Sequence, residues 1–242
     1  MIQKSKLILG RILAFWAFLV FASTLFLFIW FYLPCFFLAE PHKTRWHRII
    51  SRYWMGLFLM LSGCRFKVTG KHHFKNLEPA IVICNHNSLI DVPVSTPFLP
   101  RANKTIAKKS FIYVPIFGWV YKFGSVIVDR NSDQSRRASF EEMKRVLGNG
   151  LDMLIYPEGT RNKTSAPLKS FYDGAFKLAI DTKKPIIPVV LLNTKKILPA
   201  YPVACFKPGK IQMDILSCRF AIISIKPINY HEIVFVGRVC AI

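Results

Sequence analysis

The sequence predicts an α/β fold in which a mostly parallel central sheet is flanked by helices and preceded by an N-terminal membrane-anchoring helix pair. Three observations predict it: a long uncharged apolar run near the N-terminus, short apolar runs bounded by turn residues further on, and helical patterns between those runs. A chain of 242 residues accommodates one domain of ordinary size plus an appendage. We therefore place the anchor in residues 1–63 and the sheet in a second domain, residues 64–242.

The N-terminal region contains an apolar run long enough to cross a membrane. No charged residue occurs between Ile12 and Ala39, and the 22 residues Ile12–Leu33 would form a helix of about 33 Å against a hydrocarbon core of about 30 Å. Pro34 is expected to end that helix. A basic segment, His42–Arg52, and a second apolar run of 12 residues, Tyr53–Cys64, follow. Because Lys and Arg flank the first run almost equally on both sides, a single span and a helix pair within one leaflet both stay open, and the short second run favours the pair.

Short continuous apolar runs in the rest of the chain predict strands that are buried on both faces, as in a parallel sheet. Two helical patterns lie between them. One is Ala138–Leu147, with Gly148 as its C-cap, and the other is Asp173–Thr182, which places Phe176, Ala179 and Ile180 on one stripe. The predicted strands are Ala80–Cys84, Ser125–Val128, Met153–Tyr156 and Pro185–Leu192.

Composition and charge narrow the function classes. The chain is 52% hydrophobic, which excludes a disordered protein, and its formal net charge of +21 predicts a polyanionic partner. A chain that is both apolar and basic is more typical of an anionic membrane surface than of a nucleic-acid partner. The six cysteines form no CxxC pair, so we expect small buried side chains in a reducing compartment and no metal site.

Polar residues follow three of the predicted strands, where an open α/β sheet binds its ligands. His86 and Asp91 follow the first strand, Arg130 follows the second, and Glu158–Arg161 follows the third. Since the carboxyl ends of parallel strands lie along one edge of a sheet, these residues are predicted to meet there.

The spacing of His86 and Asp91 is compatible with a general base. The two do not share a face of one regular helix, but they can meet if His86 lies in the strand-to-helix turn and Asp91 begins the helix. A carboxylate on one ring nitrogen would then leave the other free to take a proton from a hydroxyl. Two alternatives stay open from spacing alone: a capped helix start with an incidental histidine, and Ser88 as a nucleophile, although the Gly-x-Ser-x-Gly turn is absent.

The turn Glu158–Arg161 suits a phosphate monoester, because its backbone amides and the Arg161 guanidinium are matched to phosphate oxygens. Taken alone it is equally typical of a polar β-turn. Arg130 and Lys108, each taken alone, are typical of solvent-facing residues.

The order of these motifs carries a resemblance to a known family. From about Arg65 to Asp214 the chain resembles the 1-acylglycerol-3-phosphate acyltransferases, and the apolar N-terminal pair is similar to their anchor. Four ordered blocks carry the resemblance: Asn85-His86 through Asp91, which looks like His-x4-Asp; Gly124–Arg130; Tyr156-Pro157-Glu158-Gly159-Thr160-Arg161; and Pro185–Val189.

The resemblance implies an activity and roles. The family moves a fatty acyl group from acyl-CoA or acyl carrier protein to the sn-2 hydroxyl of lysophosphatidic acid, without a covalent enzyme intermediate or resident cofactor, and the product is the phosphatidic acid of phospholipid synthesis. It implies a membrane protein with its site on the cytoplasmic face of a bacterial inner membrane or an equivalent membrane. His86 and Asp91 would be catalytic. The substrate-binding residues would be Lys108, Arg130, Glu158, Gly159, Thr160 and Arg161.

The chain departs from the family pattern at two places. Tyr156 stands where the family usually has Phe, and residues 217–242 diverge from the family's closing segment. The rival interpretations are acyl transfer to glycerol 3-phosphate or a lysophospholipid, a non-catalytic basic membrane-binding protein, and a nucleic-acid-binding protein. We expect anionic membrane lipids, and no nucleic acid, as partners.

Overall fold

The computed structural model describes residues 2–129, 131–201 and 204–217. Within these ranges seven strands form one sheet in the order β1-β7-β6-β2-β5-β3-β4, and every neighbouring pair is parallel except β6 and β7. This confirms the predicted α/β class. The strands are β1 Arg65–Thr69, β2 Ile81–Cys84, β3 Asn103–Lys108, β4 Ser125–Val128, β5 Asp152–Ile155, β6 Ile186–Leu192 and β7 Lys210–Ile215.

The four predicted strands correspond to β2, β4, β5 and β6, to within one residue at either end. The central strand β2 is buried throughout, since both of its edges are paired and both of its faces are covered. Strands β1, β3 and β7 were not predicted, because their sequences, RFKVT, NKTIAK and KIQMDI, mix charged and apolar residues. Strand β1 is at one edge of the sheet with β7 beside it, whereas in β3 the buried Lys104 is paired with Glu40.

Helices cover both faces of the sheet. Two details of the prediction are wrong: Gly148 lies inside its helix rather than capping it, with the positive φ of 77° at Gly150 instead, and Ile180 is exposed. The helix that contains Gly148 also begins five residues before the predicted Ala138, at Asp133. The Ser132 hydroxyl caps its start by accepting a hydrogen bond from the Ser135 amide. The α-helices are α1 Ile2–Phe28, α2 His42–Leu61, α3 Asp91–Phe98, α4 Phe117–Phe123, α5 Asp133–Gly148, α6 Gly174–Thr182 and α7 Thr194–Ile197.

The predicted N-terminal helix pair is present as α1 and α2, with different bounds. The α-helix of the first run ends at Phe28, and a 3₁₀ segment, Ile29–Phe36, carries the chain through Pro34. The basic segment and the second apolar run form one continuous helix, α2. Several α2 side chains, including Trp54 and Met55, join the core beneath the sheet. The domain boundary proposed at residue 63 stays a prediction.

The helix α1 packs on α2 along one stripe and leaves the rest of its apolar surface uncovered. The Phe21 ring lies 5.0 Å from Trp54 and 5.6 Å from Phe58, and the Trp54 indole donates to the Thr24 hydroxyl at 3.0 Å. By length and composition, one helical segment of the described residues is long and apolar enough to cross a membrane: Lys4–Phe36, with mean hydropathy 2.5 and only 22% of its apolar window buried. An apolar helix this exposed is not the core helix of a soluble protein.

Two hydrophobic cores lie on opposite faces of the sheet. The larger packs the sheet against α2 and α3, and the smaller packs it against α5 and α6. Four cysteines, Cys35, Cys64, Cys84 and Cys205, are free and buried, as predicted; Cys218 and Cys240 lie outside the described residues. The carboxyl ends of β2, β3 and β5 meet at one rim between these cores, which is where the predicted site residues lie.

Candidate active site

His86 and Asp91 meet at the carboxyl end of β2. The strand ends at Cys84, His86 lies in the following turn, and Asp91 is the first residue of α3. His86 Nδ1 lies 2.9 Å from Asp91 Oδ2, although the two are five residues apart. This is the turn-and-helix-start geometry that the spacing required.

The Asp91 carboxylate is fully buried and held by the loop that it closes. Its Oδ2 also accepts backbone hydrogen bonds from Asn87 at 2.6 Å and Ser88 at 2.7 Å. Since this oxygen accepts, the His86 Nδ1 that faces it carries a proton, and Nε2 is the ring nitrogen with a free lone pair. The His86 side chain is 18% exposed, so it remains accessible to a ligand.

Tyr156 supports the imidazole from the neighbouring strand end, a contact that the sequence analysis did not foresee. The two rings lie 4.5 Å apart at 37°. The Tyr156 hydroxyl in turn pairs with Ser95 Oγ at 2.6 Å, and burial raises the pKa of the Tyr156 phenol well above its usual range. The phenol therefore stays neutral and braces the histidine.

Glu158 lies beneath the cleft rather than on its lining, with a fully buried side chain. The substrate-binding role that the resemblance implies for it stays a prediction. One carboxylate oxygen accepts from the His86 backbone amide at 2.7 Å and the other accepts from the Lys169 amide at 3.1 Å. Glu158 thus ties the His86 loop to the segment after the turn.

The turn itself is shaped by Gly159 and tied by Lys169. Gly159 has φ of 69°, and a Cβ there would approach the Tyr172 ring to 2.7 Å, so a side chain is excluded on two counts. Its amide donates to the Tyr156 carbonyl at 3.0 Å. Lys169 Nζ donates to Thr160 Oγ1 at 2.8 Å, which places an ammonium group against the turn.

Two cations stand at the rim. Arg161 is partly buried, Lys108 is exposed at the end of β3, and both line the cleft that His86 opens into. Among the described residues neither side chain has a hydrogen-bond or ion-pair partner. Arg130, the remaining predicted residue, lies outside the described residues. The structure therefore brings together His86, Lys108, Gly159, Thr160 and Arg161, with Asp91 and Glu158 beneath them.

The cleft has a volume of about 1200 Å³. Its mouth is cationic and its interior walls are mostly apolar, running beneath α2, α3 and α4. Such a combination suits a molecule with an anionic head and a long apolar tail. Representative wall residues are Trp54, Met55, Val92, Pro93, Phe117 and Val120.

One inner wall residue, His47, is held neutral. Burial, together with the nearby charge of Lys104, lowers the pKa of the His47 imidazole, and the hydrogen bond of Nε2 to the Val120 carbonyl at 3.0 Å and the Glu40 carboxylate oppose the shift. The net result is a pKa of about 4. Below the ordinary imidazole pKa of 6.5, His47 therefore binds a proton in the unfolded chain but stays neutral in the folded protein until the pH approaches about 4.

This asymmetry predicts an acid-sensitive fold. As the pH falls from about 7 to about 5, His47 is expected to cost about 2 kcal/mol of stability, because only the unfolded chain gains the proton. The measurement is thermal unfolding in detergent at both pH values, for wild type and for His47→Gln, which keeps a donor for Val120 and cannot titrate. The variant should lose less stability on acidification. An identical pH dependence in both proteins would contradict the assignment.

The structure also bears on the two remaining sequence expectations. Ser88, the alternative nucleophile, is 1% exposed and donates to the Leu198 carbonyl at 2.7 Å, so it is a structural residue. Within the described ranges, no group of three or more His, Cys, Asp or Glu side chains is arranged to hold a metal ion. The expectation that the chemistry uses no metal stays a prediction.

Comparison with known proteins finds a family and several relatives that resemble this chain in sequence. The Acyltransferase family model matches residues 65–192. A 1-acyl-sn-glycerol-3-phosphate acyltransferase of Saccharomyces cerevisiae is 32% identical over 186 residues, covering 75% of this chain and 60% of that protein. The beta 1-acyl-sn-glycerol-3-phosphate acyltransferase of Homo sapiens is 31% identical, covering 66% and 60%, and one of Cocos nucifera is 39% identical, covering 48% and 38%. The chain thus spans less than two thirds of the length of these relatives.

The fold has a counterpart among solved structures. The crystal structure of the 1-acyl-sn-glycerophosphate (LPA) acyltransferase PlsC from Thermotoga maritima superposes with a TM-score of 0.72 and 22% identity, over 88% of this chain and 86% of that one. At this identity the likeness is one of fold. The family model covers more than half of the 242 residues and runs from the first residue of β1 to the last of β6. The chain therefore belongs to the Acyltransferase family.

Proposed function

We propose that the protein transfers a fatty acyl group from an acyl thioester, acyl-CoA or acyl-ACP, to the sn-2 hydroxyl of lysophosphatidic acid, and so makes phosphatidic acid for phospholipid synthesis. The observation that carries the proposal is the contact between His86 and Asp91 at the mouth of an apolar cleft with cations on its rim. The names of the curated relatives support the acceptor.

The chemistry is a direct acyl transfer. The acceptor hydroxyl donates its proton to His86 Nε2 as its oxygen attacks the thioester carbonyl, and Asp91 stabilises the imidazolium that forms. The tetrahedral intermediate then collapses, the carbon–sulfur bond breaks, and the imidazolium returns the proton to the departing thiolate. The atoms balance without a metal or a resident cofactor. Because Asp91 is fixed by two backbone amides, the imidazole needs little rearrangement on the way to the transition state.

The cations at the rim are suited to bind the phosphate of the acceptor. The Arg161 guanidinium matches two phosphate oxygens at once, and Lys108 supplies a second positive charge from the neighbouring strand end. Burial of an acyl chain against the apolar walls would contribute about 0.8 kcal/mol of binding free energy for each buried methylene. Glycerol 3-phosphate lacks that chain, which makes it the poorer acceptor.

The proposal extends to location. We propose that α1 and its 3₁₀ extension anchor the protein in a bacterial inner membrane or an equivalent membrane, with the cleft on the cytoplasmic face, where thioester donors are present. The exposed apolar surface of α1 and the net charge of +21 support an anionic bilayer.

Acceptor preference tests the function directly. Purified full-length protein would be given labelled acyl-CoA or acyl-ACP with lysophosphatidic acid, glycerol 3-phosphate or lysophosphatidylcholine in turn. We expect the highest kcat/KM with lysophosphatidic acid. A higher kcat/KM with either other acceptor would replace the proposed substrate, and no transfer to any of the three would favour the non-catalytic membrane-binding interpretation.

A substitution in the turn tests the phosphate site. Arg161→Lys keeps the charge but loses the two-pronged contact, so the KM for lysophosphatidic acid should rise about tenfold with a smaller change in kcat. Arg145→Lys, on the exposed face of α5, is the matched control and should change neither constant. A rise confined to the KM of the acyl donor would show that Arg161 serves the donor instead.

A further inference from the structure

The segment that forms one edge of the cleft mouth exposes an unusual number of apolar side chains. We call Lys109–Trp119 the cleft lip; it comprises a 3₁₀ helix, Lys109–Tyr113, and the turn into α4. Tyr113 is 71% exposed and Trp119 52%. Gly118 fixes the turn, because a Cβ there would lie 2.2 Å from the Ile112 carbonyl oxygen. The other exposed apolar residues of the lip are Phe111, Val114 and Ile116.

The lip is continuous with the end of the apolar anchor. The Phe36 ring, at the end of the 3₁₀ extension of α1, lies 5.8 Å from Trp119 and 5.0 Å from Phe123. Phe36 is itself half exposed, and Phe37 is 90% exposed. One uncovered apolar surface therefore runs from α1 across these rings to the lip. A patch of this kind marks a binding surface rather than ordinary solvent-facing side chains.

The charges around the lip indicate the partner. Lys108 precedes it, Lys109 is its first residue and Lys122 follows it; Asp129 is the acidic partner of Lys109, at 3.8 Å. Aromatic rings bordered by lysines are typical of the layer between bilayer headgroups and acyl chains, where rings bury their apolar bodies and lysines meet lipid phosphates. A protein partner would be expected to match this surface with acidic residues instead, so the continuity with α1 favours the bilayer.

The lip also forms the wall of the cleft. Phe111 lines the main cleft, as do Phe117 and Tyr121 just inside it, while Lys109 and Tyr113 line a smaller adjoining pocket of about 520 Å³. We propose that the lip is a second membrane contact, seated in the interface of the anionic bilayer that holds α1. The turnover test below rests on the proposed function; the contact itself does not.

A charge placed in the lip tests the contact. Val114→Glu puts a carboxylate into the proposed contact at a residue that does not line the cleft. Turnover would be measured with long-chain lysophosphatidic acid in phosphatidylcholine–phosphatidylglycerol vesicles and with a short-chain, monomeric lysophosphatidic acid. We expect turnover on vesicles to fall about tenfold and turnover on the monomeric acceptor to stay within about twofold. The matched control, Ile180→Glu, places the same charge at an equally apolar, 59% exposed position on α6 and should change neither.

Equal losses of Val114→Glu on both acceptors, or no loss on either, would overturn the contact. A second readout needs no turnover: quenching of tryptophan fluorescence by vesicles whose acyl chains are brominated. Wild type should show a larger quenched fraction than Trp119→Phe. An unchanged fraction would overturn the contact, whereas the expected quenching without any acyl transfer would support the contact and overturn the proposed function.

Discussion

Replacing His86 with Ala is expected to lower kcat for acyl transfer by about 10²–10⁴-fold, the usual contribution of a positioned general base. The acceptor hydroxyl would lose the only group to which the proposed mechanism gives its proton. The KM for lysophosphatidic acid should change little, because Arg161 and the apolar walls remain. Asp91→Asn should also lower kcat, since the amide cannot stabilise the imidazolium as a carboxylate does. Initial rates of phosphatidic acid formation on vesicles provide the measurement.

A matched histidine provides the control. His72 is exposed and lies on the 3₁₀ helix Lys71–Phe74, so His72→Ala makes the same chemical change outside the cleft and should leave turnover unchanged. Sedimentation with vesicles should be equal for wild type, His86→Ala and His72→Ala, because α1 is untouched in all three. If His86→Ala turns over as fast as wild type, the imidazole is not the base and the proposed mechanism fails.

The contact between His86 and Asp91 was predictable from the sequence because it depends on local features. A continuous apolar run marks β2 as a buried strand, and the residues directly after such a strand lie at the binding edge of the sheet. His86 and Asp91 are five residues apart, so the turn alone brings them together. The same argument placed Arg161 near them, because β5 is the parallel neighbour of β2.

The support of the pair was not predictable, since it depends on contacts distant in sequence. Glu158 accepts a hydrogen bond from the backbone amide of His86, which lies 72 positions earlier in the sequence. The Tyr156 ring packs against the His86 imidazole, 70 positions earlier. Both residues lie in a motif whose charged members suggest ligand binding, and nothing local distinguishes a glutamate that points into the cleft from one that points beneath it. Of the two residues, Tyr156 alone gave a sequence signal, because it stands where the resembling family usually has Phe. The structure shows that its extra hydroxyl forms a hydrogen bond with Ser95.

The strands that were missed have a similar cause. The edge strand β1 carries Arg65 and Lys67 because water reaches part of its surface, and β3 contains the buried Lys104, which pairs with Glu40 at 2.7 Å. In both strands these charged residues remove the apolar run that identifies a central strand. Helix α2 was divided in the prediction because its basic first half and apolar second half look like two segments. In the fold its basic half still buries Thr44, His47 and Ile50, so one helix serves both the sheet and the anchor.

Glu158→Gln is expected to reduce kcat by about tenfold or more and to lower stability by about 1–3 kcal/mol. The wild-type carboxylate offers an acceptor to each of two backbone donors, the amides of His86 and Lys169. Glutamine keeps one oxygen but turns an NH₂ group toward the other amide, so two donors face each other in a buried place. The loop that carries His86 must shift, and the base moves away from the acceptor hydroxyl. Kinetics with lysophosphatidic acid and unfolding in detergent give the two readouts.

The ratio of the two kinetic constants decides between the structural role and the one first inferred from the sequence. A residue that positions His86 changes kcat and leaves the KM for lysophosphatidic acid nearly constant, whereas a residue that contacts the acceptor changes that KM. Glu141→Gln, the same substitution on the exposed face of α5, should leave kcat unchanged and stability nearly so. If Glu158→Gln instead alters the acceptor KM at constant kcat and constant stability, Glu158 contacts the substrate, and its buried bridge from the turn Glu158–Arg161 to the His86 loop does not have the proposed positioning role.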